Sequence, residues 1–110
     1  GYGDVVGHGT HVAGIVAARD NRTGVVGVAP TARIWSVRVL NRDARGRTVG
    51  WVSDVIAGLD WVYEQRETID VVNMSLGGWA YLPGGSQDGY RLAIRRVVEA
   101  GIPVVVAAGN

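Results

Sequence analysis

Asp70-Val71-Val72-Asn73-Met74-Ser75-Leu76 is a short, largely apolar run that stops at Gly77-Gly78, and it reads as a strand. Gly77 to Gly89 follows as a loop, punctuated by Gly77-Gly78 and Pro83-Gly84-Gly85. Leu92 to Ala100 is then expected to be a helix, with Gly101 suited to the left-handed position after its last turn. Pro103-Val104-Val105-Val106-Ala107-Ala108 is a continuous apolar run, the pattern of a strand buried on both faces of a sheet. A strand, a helix and a second strand in this order make a parallel crossover unit, and that unit decides the fold class.

The pattern extends towards the N-terminus. Val49 to Arg66 reads as a helix, because Val52, Val55, Ile56, Leu59 and Val62 recur at the spacing of one buried stripe. Asn41 to Thr48 is a polar, arginine-studded loop. Arg33 to Leu40 (RIWSVRVL) alternates apolar and polar residues and reads as another strand. His8 to Arg19 reads as a helix of small residues, with Gly9-Thr10 at its start and Asp20-Asn21 at its end. Helices alternating with strands predict an α/β fold, a parallel sheet flanked by helices. No internal repeat and no domain boundary interrupts it.

Composition narrows the function classes. Eleven basic residues, all arginine, stand against ten acidic ones for a net charge of +1, so nothing favours nucleic acid or an acidic partner. There is no cysteine, which excludes disulfides and thiolate metal sites. The longest apolar run, Gly101 to Gly109, is far short of the roughly 20 residues of a membrane span. The chain opens on Gly1-Tyr2-Gly3 and stops on Asn110 directly after a strand pattern, so it is expected to be an internal fragment. The lack of a signal peptide therefore has no bearing on localisation.

In sheets of this kind the working residues gather at the carboxyl ends of strands. Leu40 to Gly50, Ser75 to Gly78 and Ala107 to Asn110 lie there. A further feature is Gly7-His8-Gly9-Thr10-His11. A histidine between two glycines is poorly shielded, and an imidazole titrates near neutrality, so it can take a proton from a hydroxyl and pass it to a leaving amine. By itself such a histidine reads first as a surface residue with no role. His11 lies three positions on, but no H-E-x-x-H pattern and no cysteine make the pair a metal site, and His11 is expected to be a buried, hydrogen-bonded helix residue. Asn110 offers a neutral amide donor of the type that stabilises an oxyanion, or else is a turn asparagine.

Four blocks together carry more than any one. Gly7-His8-Gly9-Thr10-His11-Val12-Ala13-Gly14 resembles the histidine motif of the subtilisin family of serine proteases, the subtilases. Gly24-Val25-Val26-Gly27-Val28-Ala29-Pro30 resembles the segment that follows in that family, Asn73-Met74-Ser75-Leu76-Gly77-Gly78 its substrate-binding strand, and Val104 to Asn110 the strand and turn bearing the oxyanion-hole asparagine. The blocks stand in family order and span essentially the whole chain.

The resemblance implies a subtilisin-like three-layer α/β/α fold, incomplete here, with residues 1–110 forming part of one peptidase domain. It implies that His8 is the general base and that Asn110 holds the oxyanion. Ser75, Leu76 and Gly77 would pair with the substrate backbone, and Ala107, Ala108 and Gly109 would help to line the pocket before the scissile bond. Leu40 and the Arg45–Gly50 loop would form the opposite wall. Arg19-Asp20-Asn21-Arg22-Thr23-Gly24-Val25 matches the position of a calcium loop in many subtilisins, with Asn21 giving a side-chain oxygen and Arg19, Thr23 and Val25 giving carbonyls. No cofactor is required for the chemistry, and structural calcium is the one candidate. Polypeptide substrates are implied, with neither nucleic acid nor membrane as partner. The resemblance also allows a propeptide in the full-length protein and suggests secretion.

The family order is aspartate, histidine, serine, so the aspartate would precede residue 1 and the serine would follow residue 110. Asp4 lies too near His8 to be that aspartate and is expected at the rim of the cleft. Ser86 lacks the Gly-Thr-Ser context of the nucleophile. Arg42 to Val49 is arginine-rich and Trp79 to Gly89 looks extended, so remote substrate preferences are not inherited. The 110-residue chain alone is expected to lack peptidase activity and, with strands unpaired, to be poorly soluble. Two other readings are a non-catalytic homologue kept for binding and a dinucleotide-binding domain. The glycines of Gly1-Tyr2-Gly3-Asp4-Val5-Val6-Gly7 are one residue too widely spaced for the latter, and no strand precedes them.

Overall fold

The computed structural model describes residues 3–78 and 86–109. The chain forms two compact units, Gly1–Val49 and Gly50–Asn110.

The first unit contains α1 (His8–Ala17) and β1 (Leu40–Arg42), and it runs into β2 (Thr48–Gly50). Helix α1 ends two residues before the sequence pattern suggested. Its end is closed by Gly27-Val28-Ala29, whose amides donate to the carbonyls of Ala18 (2.9 Å), Ile15 (3.0 Å) and Val16 (2.7 Å). Carbonyls at a helix end have no intrahelical donor, and these three amides supply one. Gly27 is buried, and a Cβ built there would lie 2.5 Å from the Ala18 nitrogen, so only glycine allows this approach.

The Arg33–Leu40 segment departs from expectation. Only Leu40 is in a strand, and residues 33–39 join no ladder among the described residues. Alternation supplies a face to bury, but a strand exists only where a neighbouring chain accepts its hydrogen bonds. Ile34, Trp35 and Val37 stay exposed. The expected loop from Asn41 to Thr48 instead has both ends in strands, since β1 and β2 pair with each other. Asp43 builds the connection. Its Oδ1 accepts from the Arg45 and Arg47 amides (2.9 Å each), its Oδ2 from Arg47 Nε (2.8 Å), and Gly46 takes the left-handed φ of 75° that the turn needs.

The second unit holds α2 (Val52–Glu64), β3 (Val72–Met74), α3 (Ser86–Glu99) and β4 (Val104–Val106). β3 and β4 are parallel, with Val72 beside Val104, Asn73 beside Val105 and Met74 beside Val106. This is the expected crossover unit. Its core is Val55, Leu59 and Val62 of α2, Ala93 and Val97 of α3, Met74 of β3, and the flanking Ile69 and Ile102. Three of the five stripe positions of α2, Val55, Leu59 and Val62, are buried, as their spacing requires.

Helix α3 starts at Ser86, inside the segment read as loop. Gly89 looks like a breaker in sequence, yet a glycine inside a helix costs only about 1 kcal/mol. Its missing Cβ has a use, because one placed there would lie 3.4 Å from Ile56 Cδ1 of α2. The end of α3 is as expected. Gly101 has φ 89°, its amide donates to Val98 O (2.9 Å), and the Ile102 amide reaches back to Val97 O (3.3 Å). This is a Schellman turn, and the two positions whose side chains such a turn brings together, Val97 and Ile102, are both buried.

β4 is not buried on both faces. Val105 and Val106, which point to opposite faces, are 54% and 56% exposed, and the described sheet gives β4 a strand neighbour only on the β3 side. Tyr63 of α2 stacks against Arg96 of α3 at 3.8 Å and against Arg66 at 4.8 Å, and Arg96 also meets Asp60 at 3.4 Å. No described helix is long and apolar enough to cross a membrane.

Candidate active site

His8 is the first residue of α1 and is exposed. Gly7 before it adopts φ 85°, a left-handed geometry that turns the chain sharply into the helix. A glycine N-cap has no side chain to satisfy the helix amides, and Asp4 fills that place. Its Oδ1 accepts from the amides of Val6 (3.1 Å) and Gly7 (2.8 Å), and its Oδ2 accepts from the Thr10 amide (2.8 Å) and the Thr10 hydroxyl (2.7 Å). The Thr10 hydroxyl above all, and then the Thr10 and Gly7 amides, hold the Asp4 carboxyl well below the usual carboxylate range. Asp4 is therefore a capping group of the histidine turn. Its position in the sequence hid this, because it lies three residues outside the ordinary cap position.

The backbone leading into His8 is also held by two guanidinium groups. Arg38 Nη1 donates to Gly3 O (2.9 Å), and Arg42 Nε donates to Val5 O (2.9 Å) while its Nη1 reaches Gly46 O (3.0 Å). His11 is exposed and not the buried residue expected, since α1 has no buried residue at all. Among the described residues no cluster of three His, Cys, Asp or Glu could hold a metal. Leu40, half-buried, opens β1. In the Arg19–Val25 segment Asn21 Oδ1 accepts from the Thr23 amide (2.8 Å), a tight side-chain turn, and Gly24 follows with φ 73°.

In the second unit the parallel pairing brings two of the sequence-predicted segments together. Ser75-Leu76-Gly77 leaves β3 and Ala107-Ala108-Gly109 leaves β4, both at carboxyl ends. The Ala107 amide donates to Met74 O (3.2 Å), so the two departing segments start side by side. Asn73 Nδ2 donates to Ser75 Oγ (3.0 Å), which engages that hydroxyl. Ala107, Ala108 and Gly109 are exposed, and Gly109 turns with φ 93° immediately before Asn110. Asn110 itself lies outside the described residues.

The family model described as the subtilase family matches residues 1–110. The chain is 45% identical over 104 residues to subtilisin DY of Bacillus licheniformis, covering 94% of this chain and 34% of that protein. It is 42% identical over 109 residues to subtilisin E of Bacillus subtilis (strain 168), covering 99% of this chain and 26% of that protein. An intracellular serine protease of Paenibacillus polymyxa is 40% identical over 109 residues, 99% of this chain and 30% of that protein. The chain thus spans about a quarter to a third of the length of these relatives. With the family model matched from end to end and kinship above 40% over nearly every residue, this chain belongs to the subtilase family.

Proposed function

We propose that this chain is the central part of a serine endopeptidase domain and carries its general base. The observation that supports this most directly is the pairing of β3 with β4, from which Ser75–Gly77 and Ala107–Gly109 emerge side by side. An extended substrate adds to such a segment by main-chain hydrogen bonds, and the small residues beside it leave room for a side chain.

In this reading His8 takes the proton from a serine hydroxyl as the serine oxygen bonds to the scissile carbonyl carbon. Asn110 donates its amide to the oxyanion that forms. The C–N bond then breaks as the imidazolium returns the proton to the leaving amine, and water repeats the sequence to release the acid. The serine and the aspartate that orients His8 belong to segments outside this chain. The isolated 110 residues are accordingly expected to be inactive.

Arg19, Asn21, Thr23 and Val25 form a proposed structural calcium loop. The donors are all oxygen, and Asn21 Oδ1 keeps a second lone pair beyond its bond from the Thr23 amide. The ion would brace the loop after α1 and take no part in the chemistry. Secretion is assigned on family habit, although one relative is itself named an intracellular serine protease.

The test is a fluorophosphonate probe applied to the full-length protein. Labelling of a serine that depends on His8 supports a peptidase. No labelling of the wild type would make this a subtilase fold retained for binding.

A further inference from the structure

The peptidase reading gives no task to Asp4, Arg38 or Arg42, yet all three side chains converge on the five residues that lead into His8. Both neighbours of His8 are glycines, so no adjacent side chain restrains its backbone, and no apolar side chain described in this unit is buried. Hydrogen bonds therefore fix the turn. Three amides and a hydroxyl donate to the single carboxylate of Asp4, and the carbonyls of Gly3 and Val5 accept from Arg38 and Arg42.

We propose that Asp4 is a positioning residue of the peptidase site, setting through Val6, Gly7 and Thr10 the angle at which His8 is presented, with Arg42 bracing the same lead-in at Val5. The proposal rests on the peptidase reading of His8. A general base acts only within hydrogen-bond reach of its proton, and a misplacement of about 1 Å can cost about 100-fold in rate. Asp4 touches neither substrate nor the reacting atoms, so its effect falls on turnover and leaves substrate affinity largely alone.

The experiment uses the full-length protein, with steady-state peptide hydrolysis normalised to active sites and the rate of fluorophosphonate labelling measured in parallel. Asp4→Ala is expected to lower kcat and the labelling rate together by about tenfold or more, with KM within about twofold. Asp4→Asn keeps one acceptor and turns an amine towards the donors of the other, so it falls between. Should Asp4→Ala fail to fold, Thr10→Val and Thr10→Ser give the same reading, with the serine recovering most of what the valine loses.

A kcat within about twofold of wild type in every folded variant, whatever happens to Tm, would reduce Asp4 to a stabiliser of the turn and overturn the proposal. A wild-type protein that neither hydrolyses peptides nor labels would instead bring down the peptidase reading, and this inference with it.

Discussion

Asp4 and Asp43 are the two described carboxylates whose proton affinity is depressed, Asp4 by the Thr10 hydroxyl first and Asp43 by the Arg47 amide first and then its guanidinium. Each has a folded pKa below its unfolded value of about 3.9, so each contributes stability above that pH and loses it as the pH falls through the folded value. Acid is therefore expected to loosen the His8 turn and the β1–β2 connection below about pH 4. Hydrogen-exchange protection, taken relative to the unfolded chain at each pH, should fall there at the amides of Val6, Gly7 and Thr10, and of Arg45 and Arg47. In Asp4→Asn the protection of the first set should already be reduced at neutral pH and change little with acid, whereas unchanged protection down to about pH 2 in wild type would count against this account. Gly27 is a second point of leverage. Gly27→Ala places a methyl 2.5 Å from the Ala18 nitrogen, and thermal unfolding of the full-length protein should report a loss of about 1–3 kcal/mol. The role of Gly27 could not be read from sequence, where it is one of 17 glycines.

Among elements, the long periodic ones were the most legible. The α2 stripe was readable because three-and-four spacing leaves one face to bury, and Val55, Leu59 and Val62 are buried. The end of α3 was readable because Gly101 is the residue that tolerates φ 89°. Gly101→Ala should cost about 1–2 kcal/mol through the strained left-handed geometry. Val97 is 0% exposed at the centre of the α2–α3 packing. Val97→Ala removes two methyl groups and leaves a void, so a loss of about 2 kcal/mol is expected in denaturant titration, with the slope unchanged. The start of α3 was not legible, because Gly89 signals a break in sequence and its close approach to Ile56 appears only in three dimensions. The strand expected over Arg33–Leu40 was misread for the complementary reason, since β pairing is a property of two segments.

For the whole molecule, the chain carries one subtilase segment of 110 residues against relatives three to four times as long. Val28 is 90% exposed, and Val25, Trp51, Val105 and Val106 are also open to solvent. The isolated chain should therefore self-associate and bind a hydrophobic dye. Light scattering and dye fluorescence of the purified 110 residues would check this, and a monodisperse, dye-silent monomer would contradict it. Peptide hydrolysis by those same 110 residues, abolished in His8→Ala, would contradict the proposed dependence on a serine and an aspartate supplied from elsewhere.

The sequence by itself determined the fold class, the order of helices and the family, because these rest on local periodicity and on four motif blocks in order. It also marked His8, and it marked Ser75–Gly77 and Ala107–Gly109 as candidate site segments. Tertiary structure alone decided that the last two segments leave neighbouring strands side by side, that β4 is half open, and that Asp4 caps the histidine turn. The first two depend on which distant segments meet, which no local pattern encodes, whereas the Asp4 cap spans only two to six residues and escaped the sequence because it lies outside the ordinary cap position.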